Sequence, residues 1–232
     1  EKEVKDFLFR ILPPRSGILN GNVSIGSDIF KIDNNQTFEI SIPERINCKI
    51  ISNSRKNSKT YERILNSING NSSFIEFDVF TVNRFSRIDL SDTDVLLVAD
   101  ATNFTPRAIE SLKRYLKAGG SMIWFSGENY AKLKDQTISN LSLPKLIETV
   151  DLTNKSFLNV KIEDRENEIF QNLNMRDISD YFPKIFKYNS LEFNFNDKMI
   201  LSMGQNIPFL LNLDSKLGSI YLFTSPLELS WN

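Results

Sequence analysis

The chain contains no histidine and only one cysteine, Cys48. Without an imidazole, no Ser-His-Asp triad or Cys-His pair can be assembled within it, and His-ligated zinc or iron centres are excluded. A single cysteine leaves no intrachain disulfide and no cysteine-based metal site. Cys48 stands in the alternating run Ile46-Asn47-Cys48-Lys49-Ile50-Ile51, where a buried structural thiol is a simpler reading than a nucleophile. No run of about 18 apolar residues occurs, so no helical membrane span is expected, and no signal-peptide pattern is present. A dominant charge is missing too, since 28 Lys and Arg stand against 29 Asp and Glu, for a net charge of −1. A nucleic-acid surface needs clustered cations and is not expected; Arg55-Lys56 and Lys113-Arg114 read as solvated faces. No glycine-rich phosphate-binding pattern occurs. Asp89, Asp92 and Asp94 lack the spacing of a calcium loop. No cofactor and no metal are therefore expected.

What the sequence does contain is an alternation of strand and helix patterns. Residues 1–45 differ from the rest: Asn22–Ile25 and Thr37–Ile42 read as extended runs around the polar turn Lys31–Asn35, a β-hairpin. An isolated hairpin does not hold itself together in water, so residues 1–45 are read as the remnant of an upstream β-domain and residues 46–232 as an α/β domain. Within the latter, Ile46–Ile51 is a β-branched strand. Tyr61, Ile64, Leu65 and Ile68 mark a helical stripe closed by Gly70, and Phe74–Phe80 alternates as a second strand. The continuous apolar run of Asp94–Ala99 fits a central parallel strand covered on both faces. Thr105 is placed to cap a helix whose first residue is Pro106. That helix carries Ile109, Leu112 and Leu116 and stops at Gly119-Gly120, after which Ser121–Phe125 resumes as a strand. Strand, helix and strand with short connections imply right-handed crossovers and a doubly wound, mainly parallel sheet of flavodoxin-like order. Lys155–Ile162 is expected as a strand and Asn167–Leu173 as one or two helical turns. Ile185–Phe195, Lys198–Ser202, Pro208–Leu213 and Ser219–Thr224 are expected as an antiparallel set extending one edge.

The stretch Thr93–Gly127, with D-V-L-L-V-A, then I-E-S-L-K-R-Y-L-K-A-G-G, then S-M-I-W-F-S-G, resembles class I glutamine amidotransferase-like domains of BatA-type, aerotolerance-regulator-like bacterial membrane proteins. Gly21–Pro43 resembles the hairpin preceding such domains, and the closing G-S-I-Y-L-F-T-S-P-L-E-L-S-W-N resembles their final strand. The resemblance implies an extracytoplasmic, periplasmic domain carried between membrane helices. Its partners would be other domains of the same protein or envelope proteins. The chain opens on Glu1 and stops at Trp231-Asn232 just after an apolar strand, so it is expected to be part of a longer protein.

The resemblance does not imply amidotransferase activity. A working member needs a Cys on a strand-to-helix elbow with His and Glu partners, and the elbow position here reads Ser126-Gly127-Glu128. The expectation is a non-catalytic binding or scaffolding domain, a pseudoenzyme. One alternative is a hydrolase with Ser126 as nucleophile and Glu128 or a lysine as base. Another is a small-ligand site at the carboxyl ends of the strands, on loops Ser52–Ser58, Asp100–Thr105 and Ser126–Tyr130. Phe182, Phe186, Tyr188, Phe193 and Phe195 either form a second small core or present an apolar docking surface.

Overall fold

The structure is a computed structural model that describes residues 16–26, 34–70, 74–153, 156–170 and 182–232. The chain divides into two compact units, Glu1–Ile46 and Asn47–Asn232. In the first, strands β1 (Gly17–Ser24) and β2 (Asn35–Ile42) pair antiparallel, from Gly17 opposite Ile42 to Ser24 opposite Asn35. Gly21 sits opposite Phe38, whose ring occupies the space a β-carbon would need. Most of the expected turn, from Lys31 to Asp33, lies outside the described residues.

The second unit is built on a nine-stranded sheet. Its parallel part comprises β3 (Ile46–Ser52), β4 (Ile75–Thr81), β5 (Val95–Ala99) and β6 (Ser121–Phe125). These stand in the order β4-β3-β5-β6 and continue into β13 (Ser219–Phe223). β3, β5, β6 and β13 run parallel, with Cys48 beside Val95, Val95 beside Ser121 and Ser121 beside Ser219. This is the doubly wound, flavodoxin-like order. The chain leaves β3 for the edge strand β4 and returns to β5 on the other side, which opens a topological switch point between β3 and β5.

Helices cover both faces. α1 (Arg55–Asn69) buries Tyr61 against Cys48, Ile50, Leu97, Ala99 and Phe125. Its apolar stripe is only partly covered: Leu65 is half-buried, while Ile64 and Ile68 are exposed. The helix lies towards the edge of the sheet, where too little strand surface remains to meet its outer turns. A short α2 (Val82–Phe85) follows β4. On the opposite face, α3 (Pro106–Lys117) buries Ala108, Ile109, Leu112 and Leu116 against Leu96, Val98, Met122 and Trp124. Each such fully buried aliphatic side chain contributes about 1.5–3 kcal/mol. Thr105 caps α3 by accepting from Ala108 N at 3.2 Å, and Pro106 opens it. α4 (Asp135–Leu141) completes this layer.

The later strands differ in one respect from the sequence reading. β11 (Lys198–Met203) and β12 (Ile207–Leu213) do extend the sheet antiparallel, followed by β8 (Leu158–Ile162) and β9 (Lys184–Ile185). However, β13 turns back parallel to β6, and β10 (Lys187–Glu192) leaves the set. It pairs with β7 (Lys145–Asp151) as a separate two-stranded ribbon carrying a bulge between Ser190 and Leu191. The expected helical turn near Asn167 is a 3-10 turn over Glu168–Phe170, and residues 171–173 lie outside the described residues. A second core gathers Val160, Phe170, Ile185, Tyr188, Ile200, Met203 and Phe209 beneath the antiparallel strands.

Candidate functional site

β5 is apolar until Ala99 and then places Asp100 at its carboxyl end, beside the switch point. Asp100 has φ +46°, the left-handed region that Asp tolerates better than most residues. Its amide still donates to Phe125 O at 3.0 Å, so the strand ladder reaches this residue before the chain turns away. The side chain is buried. Gly127 N donates to Oδ1 at 2.8 Å, while Asn129 N and Nδ2 donate to Oδ2 at 3.0 and 2.9 Å. A β-carbon at position 127 would stand 2.8 Å from Asp100 Cγ, so only glycine allows the loop to close on this carboxylate. Among the described residues Asp100 has no ion pair. Burial pushes its carboxyl up to about 6 against the lowering effect of these donors, with Glu228 raising it further.

The three loops named from the sequence are tied together here. Asn53, after β3, donates Nδ2 to Asp100 O at 3.1 Å and accepts from Thr102 N at 2.9 Å. Asp100 holds the 127–129 loop, whose Gly127 carbonyl accepts from Asn189 Nδ2 at 3.0 Å. Asn189, on β10 and almost fully buried, also accepts from Thr149 Oγ1 of β7 at 2.7 Å and donates its amide to Thr224 O at 2.8 Å. Beneath lies a row of rings: Tyr61 packs edge-on to Phe125 at 5.0 Å, and Phe125 stacks on Phe223 at 4.6 Å. Tyr61 OH accepts from Leu227 N at 3.4 Å, and burial pushes the phenol above its ordinary range.

Ser126 is fully buried, its amide continues the ladder to Phe223 O at 3.0 Å, and its Oγ has no hydrogen-bond partner. The loop after it leads to a 3-10 turn at Tyr130–Lys132 rather than directly into an α-helix. The positive backbone angle falls at Asp100, not at Ser126. Glu128 is solvent-exposed, 3.5 Å from Lys187 Nζ. Cys48 is buried on β3, its thiol pushed up to about 11 by burial. The aspartates are dispersed: Asp92 pairs with Lys49 at 2.6 Å, Asp94 accepts from Asn47 N at 2.8 Å and Asp89 accepts from Ser91. Among the described residues no cluster of three metal-ligating side chains occurs, and no helix is long and apolar enough to cross a membrane.

Of the aromatic group, Tyr188 and Phe182 belong to the second core and Phe186 packs edge-on to Phe157, whereas Phe193 is partly exposed and Phe195 fully so. Both readings of that group thus apply to different members. Sequence reasoning passed over Asn53, Asp100 and Asn189 as individual residues. A signal was available for one of them, because Asp100 is the first charge after four residues of unbroken apolar strand.

No protein-family model and no curated protein sequence matches the chain. Solved structures do match in fold. A ThuA-like protein from Bacteroides uniformis aligns at TM-score 0.59 and 12% identity, over 78% of this chain and 82% of its own. Two proteins from Salmonella typhimurium align at TM-scores 0.55 and 0.56, with 15% and 14% identity. They cover 92% and 93% of this chain and 86% and 88% of theirs. The fold is thus that of ThuA-like, class I glutamine amidotransferase-like proteins. The expected extracytoplasmic location is corrected: both Salmonella proteins are described as cytoplasmic. The fold therefore occurs outside the envelope, and the motifs that suggested a periplasmic domain are those of the fold itself.

Proposed function

We propose that this chain is a non-catalytic binding domain whose recognition surface is the rim at the carboxyl ends of β3, β5 and β6. The observation that carries this reading is the state of Ser126. At the position where the amidotransferase fold carries its nucleophile, the hydroxyl is sealed in the core with no partner to take its proton. The polar groups that surround it instead serve one another: Asp100, Asn53 and Asn189 join loops rather than present an activated group to solvent. Exposed apolar side chains, Phe195 and Leu229 above all, supply contact area for another protein or for a further domain of the same protein. The narrower likeness to BatA-type proteins rests on the ordered sequence motifs alone.

The test is direct. The purified chain is incubated with glutamine and with ester and amide substrates, and separately with a serine-reactive fluorophosphonate. Neither ammonia release nor hydrolysis nor labelling of Ser126 is expected. Turnover that disappears in Ser126→Ala would replace this reading with the hydrolase alternative.

A further inference from the structure

A buried carboxylate without a cation is costly, because the low-dielectric interior penalises the charge and dipoles compensate only in part. The side-chain bonds of Asp100 all come from one short segment, Gly127 and Asn129. The same segment is held from the other side by Asn189, which in turn holds Thr149. The hydrogen bonds therefore form one chain, from β5 through the 127–129 loop and β10 to β7. If the loop lifts, Asp100 regains water, but Asn189 loses its acceptor in a buried position. The ribbon must then move with the loop or leave an amide unsatisfied.

We propose that Asp100 is the latch of a coupled opening at the carboxyl-end rim, in which the 127–130 loop and the β7–β10 ribbon release together and the closed state is favoured when the carboxyl is neutral. The charged groups around the latch leave this bias in place. Tyr61 faces it from α1 and Glu228 from the segment after β13, and neither stabilises an anion there. On the loop, Lys132 bonds Asn129 Oδ1 at 2.8 Å and not the carboxylate. Lys187 on β10 is turned towards Glu128 and Asp151, at 3.5 and 3.7 Å.

The direction with pH follows from linkage. The closed-state carboxyl titrates at about 6 and the hydrated one near 3.8. The closed form is thus most favoured below the lower value and loses that advantage as pH rises through the higher one. Hydrogen exchange on the full chain, corrected for intrinsic rates, reads this out. Between pH 5 and 7.5, protection of residues 127–130, 145–151 and 187–192 is expected to fall together by about tenfold, while α3 stays unchanged. Asp100→Asn should abolish the pH dependence. Asn189→Ala should leave the loop pH-dependent and release the ribbon from it. The proposal is overturned if the wild-type ribbon does not follow the loop, or if Asp100→Asn keeps the pH response. If Asp100→Asn fails to fold, the wild-type titration and Asn189→Ala still decide the matter.

Discussion

The two ends of the parallel strands treat a buried charge in opposite ways. At the amino ends, Lys49 of β3 is buried but receives Asp92 at 2.6 Å and Thr93 Oγ1 at 2.9 Å. The pair is mutual, since Lys49 holds the Asp92 carboxyl below its ordinary range. At the carboxyl ends, Asp100 is equally buried and receives only N–H dipoles. The amino end is thus electrostatically closed, a fixed seam between β3 and the loop before β5. The carboxyl end holds unrelieved charge, on the side where open α/β sheets place their ligands. A fold can conserve free energy at one edge and leave it stored at the other.

The largest expected effect concerns the unrelieved charge. Because folding raises the Asp100 carboxyl from 3.8 to about 6, its contribution favours the fold below pH 4 and is lost as pH rises through 6. Of order 3 kcal/mol is at stake between pH 4 and 7.5. Urea denaturation across this range, compared between wild type and Asp100→Asn, should show a difference that grows as pH rises. Identical pH curves for the two proteins would erase the contrast between the ends. Next in size is Gly127→Ala, whose added methyl meets the Asp100 carboxylate. A loss of about 1–3 kcal/mol is expected, read from the midpoint of thermal or urea unfolding. A neutral result would mean that the loop does not close on Asp100 as described.

At the amino end the expectation is a small change. Lys49→Met removes the buried charge, keeps most of the side-chain volume and leaves Asp92 in solvent, so stability should shift by less than about 1 kcal/mol. A loss of several kcal/mol would show that the seam depends on its charge. The smallest effect is expected from deleting residues 1–42. The Asn47–Asn232 unit has its own cores, so its melting temperature should change little while self-association, followed by light scattering, decreases. Collapse of the shortened chain would show that the hairpin is integral.

Much of the parallel half was legible in the sequence because its signals are local. The unbroken apolar run before Asp100, the Thr105-Pro106 helix start and the Gly119-Gly120 stop each act within a few residues. The same half misled on location, since those motifs belong to a fold found also in proteins described as cytoplasmic. The antiparallel half was less legible. β10 and β12 carry similar apolar patterns, yet β10 pairs with β7 and β12 with β11 and β13. Strand partners are chosen by packing over long separations, which periodicity does not encode.

For the site, the sequence by itself determined what is missing: with no histidine and one cysteine on β3, the usual nucleophile chemistry of this fold cannot be assembled. It also determined that the polar loops fall at one end of the sheet, because strand and helix alternate in a fixed hand. Only the tertiary structure decided that Ser126 is sealed, that Asp100 rather than Ser126 takes the left-handed backbone, and that Asn189 reaches back to Gly127 across 62 residues. The physical reason is that burial and hydrogen-bond satisfaction are properties of neighbours in space. A carboxylate next to a strand reads the same whether it meets water or three amide donors, and only the closed loop settles which.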